Sequence, residues 1–217
     1  MPILKSLLQL GDPTEHIPPC PAALRAIHAT LDDPHPANGY APAVGTLEAR
    51  QAIAEYHGTT PDQVIVANGC SGALELVLTA LLDDDSILLV PQPGFPLCRV
   101  IAESHEARVL GYRTWKDIRQ LHGTYGSRIR GLVVNNPGNP TGIVYSREQL
   151  EEVVDLCEDL RLPIIADEIY GDLTFGDAEF VPLETLRRDV PVITVSGIGK
   201  QYLLPGWRMG WAVFHDK

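Results

Sequence analysis

The chain has 217 residues, a formal net charge of −11 and a hydrophobic share of 45%. This length and composition suit one good-sized α/β core or two small domains in a soluble protein. The negative charge argues against nucleic acid or an anionic membrane surface as a partner, because both require clustered lysines and arginines.

The four cysteines have no paired spacing, and no secretory signal precedes them. They therefore indicate neither a disulfide framework nor a zinc site, and they favour a cytoplasmic setting. The most apolar stretch, Leu74 to Leu82, contains Glu75 and is shorter than the ~18 residues that span a bilayer, so no membrane segment is predicted. The histidines lack ligand spacing, and no metal is predicted.

The N-terminal part of the chain contains few predicted elements. A short strand is predicted from Ile3 to Leu10, and it ends at a turn-forming cluster that begins with Gly11. A helix is predicted from Pro21 to Leu31. Tyr40 follows at the tip of a loop, and from the residues alone its packing under that loop is slightly favoured.

A second helix is predicted to begin after Thr46 and to reach about His57. Threonine is a favoured N-cap residue, because its hydroxyl accepts a hydrogen bond from a free backbone N–H of the first turn. The apolar spacing predicts that Leu47, Ile53 and Tyr56 face inward.

A strand, a small-residue turn and a third helix follow one another. They are predicted at Val64 to Ala67, Asn68 to Gly72 and Ala73 to Leu82. Such a turn gathers unpaired backbone N–H groups at the positive end of a helix dipole, which favours a phosphate. Tight packing of the glycines is the alternative. The turn has neither the GxGxxG pattern nor a P-loop GK[ST], so it predicts no dinucleotide or nucleoside-triphosphate loop.

Strands and helices alternate through the rest of the chain. This alternation predicts a three-layer α/β fold, a mostly parallel sheet with helices on both faces. The link before the last strand has about a dozen residues and no convincing helix, so that strand is predicted to be antiparallel to its neighbour. The predicted strands are Ile87 to Val90, Arg108 to Tyr112, Gly131 to Val134, Leu162 to Ala166, Val192 to Val195 and Met209 to Phe214, and the predicted helices are Pro96 to His105, Trp115 to His122 and one that Ser146 and Gln149 cap.

Polar residues follow several of these strands. Asn139 is framed by two prolines in a run of turn formers, and Asp167 ends a strand with Tyr170 three residues later. A plain turn and a helix cap would explain these positions. Lys200 follows a Ser-Gly-Ile-Gly turn, with Arg208 eight residues on. Taken alone, Lys200 is better explained as an exposed loop residue, although open α/β sheets bind ligands at the carboxyl ends of their strands.

The ordered set of motifs resembles the class I/II aminotransferases, pyridoxal-phosphate enzymes of fold type I, and most closely their tyrosine aminotransferase branch. The resemblance runs from Gly11 to the end of the chain. It implies the large-domain fold of that family. The motifs are GDPT, NGYAP, GCSGA, PGF, NNPGNPTG, ADEIYGD and SGIGKQYLLPGWRMGW.

The resemblance implies three catalytic residues. Lys200 would hold the cofactor as a Schiff base and then move the substrate's α-proton. Asp167 would pair with the protonated pyridine nitrogen, which would lower the pKa of that carboxyl. Tyr170, together with Asn139, would hydrogen-bond the phenolic oxygen of the ring.

Further cofactor contacts follow from the same resemblance. Arg208 would hold the phosphate, since a planar and permanently charged guanidinium suits that dianion. The start of the third helix would add the backbone N–H groups of Gly69, Cys70 and Ser71 and the Ser71 hydroxyl. Phe95 would stack on the ring face.

Other positions bear on subunit assembly and substrate binding, and two of them depart from the family's pattern. Tyr40 would reach the phosphate of a neighbouring subunit, which implies a homodimer with a shared active site and replaces the packing interpretation. Gly11 would leave room for the substrate carboxylate. Gly197 stands where many relatives have a phosphate-binding serine, so Ser196 is the candidate to replace it. Cys98 stands where a tyrosine is expected.

The implied reaction is transfer of an amino group between an amino acid, aromatic by resemblance, and a 2-oxo acid. Alternatives are a pyridoxal-phosphate-dependent lyase, an aminocyclopropane-forming enzyme, and a non-catalytic relative or fragment that binds cofactor or a partner. Residues 1–37 are expected to be an N-terminal segment and residues 38–217 the cofactor-binding large domain. The small domain that carries the family's carboxylate-binding arginine is expected to be absent from this chain.

Overall fold

The structure, a computed structural model, describes residues 17–32, 39–186 and 189–215. The strand predicted at Ile3 to Leu10 and the candidate Gly11 lie outside these ranges. The described helices are α1 (Pro21–Asp32), α2 (Leu47–Tyr56), α3 (Gly69–Leu81), α4 (Leu97–Ser104), α5 (Trp115–Tyr125), α6 (Arg147–Leu160) and α7 (Ile198–Gln201), with 3-10 turns at Pro61–Gln63, Gly126–Arg128, Leu183–Leu186 and Pro205–Trp207. The strands are β1 (Val64–Asn68), β2 (Ile87–Pro91), β3 (Arg108–Tyr112), β4 (Ile129–Asn135), β5 (Ile164–Asp167), β6 (Val192–Gly197) and β7 (Met209–His215).

The strands form one seven-stranded sheet in the order β1-β7-β6-β5-β4-β2-β3. The pairs from β3 across to β6 are parallel, and β7 is antiparallel to both β6 and β1. The mostly parallel sheet with one antiparallel strand, predicted from the sequence, is confirmed. Because β7 reverses direction between them, β1 and β6 point the same way. The carboxyl ends of β1, β4, β5 and β6 therefore meet at one edge of the sheet.

Helices cover both faces of this sheet, as the alternation predicted. Each fully buried leucine or isoleucine contributes roughly 1.5–3 kcal/mol through the hydrophobic effect. Within the described chain no helix has the length and apolar character that crossing a membrane needs. One core cluster joins α5 and α6 to the sheet through Ile118, Leu150, Val153, Val154, Leu132 and Ile164, and another joins α3 and α4 to it through Leu74, Leu78, Ile101, Leu88 and Ile165.

The caps that begin two helices follow the sequence prediction. The Thr46 hydroxyl accepts from the Ala49 N–H at 3.3 Å at the start of α2. Ser146 and Gln149 form a reciprocal capping box on α6, with the Gln149 N–H donating to the Ser146 hydroxyl and the Ser146 N–H donating to the Gln149 side chain. These helix starts were predictable because capping depends on residues within one turn.

The inward face predicted for α2 is partly wrong. Ile53 is buried, but Leu47 is 50% exposed and Tyr56 is 49% exposed. The helix contributes only Ile53 and Ala54 to a small cluster with Val64, Trp211 and Val213. The helix α2 therefore contacts the sheet through fewer residues than the apolar spacing predicts. The spacing of apolar residues alone does not show how many of them are buried.

Candidate functional site

A cavity of about 290 Å³ lies at the sheet edge where the carboxyl ends of β1, β4, β5 and β6 meet. The start of α3, the segment around Phe95, and the link between β6 and β7 enclose its remaining sides. Its position is the one at which open α/β sheets bind ligands. The sequence-predicted residues that line it are Gly69, Cys70, Ser71, Phe95, Asn139, Asp167, Tyr170, Lys200 and Arg208.

Other predicted residues are not brought to this cavity. Ser196 is 1% exposed, and its hydroxyl donates to the Glu168 carbonyl at 3.5 Å on the wall of a separate cavity. Successive residues of a strand point to opposite faces, so Ser196 faces away from the side on which Gly197 approaches the Cys70 backbone. Tyr40 is fully exposed on this chain. Gly11 lies outside the described residues.

Among the described residues that line the cavity, Asp167 is the one acid. The residue is 6% exposed, and its Oδ1 accepts from the Ile169 N–H at 3.3 Å and from the Cys70 thiol at 3.8 Å. Burial raises the pKa of Asp167 to about 6, against the opposing effect of these two hydrogen bonds. No lysine or arginine of the described chain pairs with it. The lowered pKa that the resemblance implies would require a cationic partner from outside these residues.

Asn139 and Tyr170 approach each other beside Asp167. The Asn139 Nδ2 donates to the Tyr170 hydroxyl at 3.3 Å. Burial, and then the charge of Asp167, raises the pKa of Tyr170, while the bond from Asn139 acts in the opposite direction. An amide donor and a protonated phenol therefore face the same cavity, where both can donate to an oxygen of a ligand.

The start of α3 and Arg208 form a site suited to an anion. The first-turn N–H groups of a helix lack partners within the helix, and the side chain of Asn68 makes no capping bond to them. The Arg208 guanidinium lies beside Gly69, donating to the Asn68 carbonyl at 3.3 Å and to the Pro205 carbonyl at 3.0 Å. A side chain at Gly69 would collide with that guanidinium. Helix dipole and guanidinium thus act at one point.

Lys200 completes the cavity from α7. Its side chain is exposed, and its amine has no hydrogen-bond or ion-pair partner among the residues that the structure describes. A primary amine that is not held in an ion pair is available to react with a carbonyl group. The one-turn helix that carries it lies between β6 and β7, where the sequence had predicted no convincing helix. A single turn is too short to show a helical period.

We expect Gly210→Ala to damage the anion site and lower stability. Gly210 is buried on β7, and an added Cβ would overlap the backbone of Gly69 and Cys70. Backbone cannot move aside as a flexible side chain can, so overpacking of this kind costs roughly 1–3 kcal/mol. Urea unfolding and phosphate affinity measure the two effects. Gly206→Ala is the matched control, since its added methyl would meet nothing within 4 Å, and equal losses in both variants would contradict the argument.

A buried polar network outside the lining of the cavity was not predicted from the sequence. His57, Glu184 and His215 have potential ligand atoms within 4.8 Å of one another, although they are far apart in sequence. Glu184 accepts from His57 Nδ1 at 3.1 Å, and Trp211 Nε1 donates to His57 Nε2 at 2.9 Å. Burial alone would raise the pKa of Glu184, but the bond from His57 lowers it overall. Both ring nitrogens of His57 are thus engaged, and the network joins the end of α2 to β7.

The comparisons with known proteins agree with this geometry. The family model of the class I and II aminotransferases matches residues 7–217. The chain is 41% identical over 224 residues to a tyrosine aminotransferase of Caenorhabditis elegans, covering 96% of this chain and 48% of that protein. It is 33% identical over 227 residues to an S-alkyl-thiohydroximate lyase of Arabidopsis thaliana, covering 98% of this chain and 49% of that protein.

A solved structure gives the same result for the fold. The alanine aminotransferase of Pyrococcus furiosus superposes with a TM-score of 0.88 at 33% identity, covering 95% of this chain and 55% of that one. The chain spans about half the length of the curated relatives it matches. From the family match, the relatives and the superposition together, the chain belongs to the class I and II aminotransferase family.

Proposed function

We propose that this chain is the cofactor-binding part of a pyridoxal-phosphate-dependent aminotransferase, which moves an amino group between an aromatic amino acid such as tyrosine and a 2-oxo acid. The observation that carries the proposal is the joint lining of one cavity by the amine of Lys200, which has no partner among the described residues, by a buried acid, Asp167, and by an anion site at Arg208. The relatives named tyrosine aminotransferase support the choice of substrate.

The residues of the cavity fit pyridoxal phosphate. Asp167 is a buried carboxyl without a cation among the described residues, and a protonated pyridine nitrogen would supply one. Arg208 and the start of α3 offer a guanidinium and free N–H groups for the phosphate. Glycine at 69 and 210 leaves room for this arrangement, since a side chain at either position would collide with it.

When bound, pyridoxal phosphate supplies an electron sink for the electrons left on the substrate's α-carbon. Lys200 would hold it through a Schiff-base bond and, once released by the substrate's amino group, would accept the α-proton on its Nζ. Asp167 would keep a proton on the pyridine nitrogen. Tyr170 and Asn139 would orient the ring by donating to its phenolic oxygen, and Phe95, half-exposed beside the cavity, would stack on the ring face.

We further propose that the active site is shared in a homodimer. Tyr40 is fully exposed and touches no part of the cavity in its own chain, so it is free to contact a second copy. Residues 38–217 would then form the large domain. The relatives are about twice as long, and a small domain corresponding to their remaining half would supply the arginine that binds the substrate carboxylate.

A spectroscopic assay tests the proposed reaction. We expect the chain to develop visible absorbance with pyridoxal phosphate, because the Lys200 amine would bind the cofactor's carbonyl group, and to lose it when L-tyrosine is added. A 2-oxo acid should restore it, and the keto acid of tyrosine should appear as product. Absorbance that persists unchanged with every amino acid would contradict aminotransfer by this chain.

Product analysis separates the second candidate function, a pyridoxal-phosphate-dependent lyase. This candidate is favoured by the relative named as an S-alkyl-thiohydroximate lyase, which the chain matches over 98% of its length. A lyase would use the same lysine but would break a bond beyond the α-carbon, so its product would not be the keto acid of the substrate with the cofactor left in the amine form. Products other than the keto acid and the amine form of the cofactor would favour the lyase over the aminotransferase.

A further inference from the structure

A buried amide, Asn135, lies between two residues that are proposed to touch the cofactor ring. It ends β4, is 7% exposed and lines the cavity. Its Nδ2 donates to the Asp167 carbonyl at 3.0 Å, and its Oδ1 accepts from the Asn139 backbone N–H at 2.6 Å. A backbone N–H only donates and a carbonyl only accepts, so one orientation of this amide satisfies both partners.

The hydrogen bonds continue from Asn139 to the phenol of Tyr170 at 3.3 Å. Tyr170 lies in the turn that follows β5, three residues after Asp167. Hydrogen bonds therefore link Asp167 to Asn135, Asn135 to Asn139, and Asn139 to Tyr170. The backbone between Asp167 and Tyr170 closes this circuit of contacts. In such a circuit, loss of one member loosens its neighbours.

The loop that carries Asn139 has backbone hydrogen bonds on either side of that residue, from the Gly138 N–H to the Ile143 carbonyl at 2.9 Å and from the Gly142 N–H to the Gly138 carbonyl at 2.7 Å. Residues 136–142 form neither helix nor strand, and the part of the loop from Pro140 to Ile143 is exposed. Among the described residues, the Asn139 N–H is held by a side-chain bond and not by these backbone bonds. Asn135 supplies such a bond from the end of a core strand, where its own backbone is fixed by the pairing of β4 with β5.

We propose that Asn135 is a positioning residue, which holds the Asn139 amide at a fixed place relative to Asp167 so that both can contact one planar ring. The inference deepens the proposed function and rests on it for its catalytic meaning. Asn135 itself touches no reacting atom in this arrangement and acts through Asn139.

The first test follows Tyr170 in the cofactor-free chain. The bond from Asn139 acts to lower the pKa of Tyr170, so Asn139→Ala should raise that pKa further. Asn135→Ala should raise it in the same direction, because the Asn139 amide is no longer held against the phenol. The double variant should shift it no further than Asn139→Ala alone, since the two residues act in series. NMR of ring-labelled tyrosine, assigned with Tyr170→Phe, measures the titration.

Two further measurements guard against general damage to the loop. Thr141→Ala removes the acceptor of the Ile143 N–H in the same loop, at 3.3 Å, and it should leave the Tyr170 titration unchanged. Hydrogen exchange of the Asn139 amide in the unmodified chain requires no variant to fold. Slow exchange is expected from its bond to a buried side chain, whereas the rate of an unprotected amide would overturn the proposal. An unchanged Tyr170 titration in Asn135→Ala would overturn it too.

The cofactor-loaded chain separates this inference from the proposed function. Asn135→Ala should weaken pyridoxal phosphate binding by roughly two- to tenfold, the effect of one hydrogen bond. It should also move the pH midpoint of the visible absorbance in the same direction as Asn139→Ala. Unchanged affinity and midpoint would count against the positioning role. An unmodified chain that gains no absorbance would contradict the proposed function alone, because the Tyr170 titration still decides the role of Asn135.

Discussion

Lys200→Ala is expected to abolish covalent attachment of pyridoxal phosphate. The amine lines the cavity and has no partner among the described residues, so it is the group placed to react with the cofactor's carbonyl. Borohydride reduction followed by mass measurement should find cofactor fixed to the unmodified chain and none on the variant. Any remaining turnover should fall by at least about a hundredfold, since a positioned general base contributes roughly 10²–10⁴ in rate.

Lys116→Ala is the matched control for that experiment. Lys116 is an exposed lysine on α5 and lines a different surface, beside Arg119 and Glu152. Its replacement removes the same charge without touching the cavity, so the fixed cofactor and the visible absorbance should remain. Cofactor that borohydride still attaches to Lys200→Ala would show that another amine carries it, and the assignment of Lys200 would have to be withdrawn.

The sequence predicted the architecture because the fold depends on local patterns. Apolar strands alternate with amphipathic helices, and this alternation carries the parallel sheet and its right-handed crossovers. The short link between β6 and β7 also revealed the antiparallel strand. Their places at strand ends marked Asp167 and Lys200 as candidates, since Asp167 is the last residue of β5 and Lys200 lies three residues after β6. Their roles were assigned from the ordered motifs, because position alone favoured a helix cap and an exposed loop lysine.

Features that depend on which way a side chain points were harder to predict. Ser196 and Gly197 are neighbours in sequence, but the pleat of β6 places them on opposite faces of the sheet, and only Gly197 approaches the cavity side. The role of Asn135 depends on the 2.6 Å contact with the Asn139 N–H, which no spacing reveals. The signal that could have found Asn135 is its place at the end of β4, the feature that singled out Asp167.

Long-range polar contacts could not be predicted from the sequence, for a different reason. His57 and Glu184 are 127 residues apart, and they meet because α2 packs on β1 and β7 while the turn at Leu183–Leu186 packs on β6, the strand next to β7. Their pairing satisfies two groups that would be costly to bury alone. Nothing in the residues next to either one indicates this partner.

Asp167→Asn is expected to separate the stability of the fold from its proposed chemistry. The change replaces a carboxyl that burial holds at a pKa of about 6 with a neutral amide of nearly the same shape. In an aminotransferase, the amide could not keep a proton on the pyridine nitrogen. Cofactor should still attach to Lys200, but removal of the α-proton should slow by about a hundredfold or more, because the lost charge acts mainly in the transition state. Turnover equal to that of the unmodified chain would remove Asp167 from the mechanism.

Without cofactor, the same variant should gain stability above neutral pH, although its rate of reaction falls. Because the pKa of Asp167 is raised in the folded chain, its contribution to stability is full below about 4 and is lost as the pH rises through about 6. A shift of that size corresponds to a penalty of at most about 3 kcal/mol once the carboxylate is ionised. Urea unfolding should find the variant more stable than the unmodified chain at pH 8, with the difference shrinking towards pH 4. A variant less stable at pH 8 would mean that the hydrogen bonds of Asp167 stabilise the fold more than burial of its charge destabilises it. The ionised carboxylate would then not lower the stability of the folded chain.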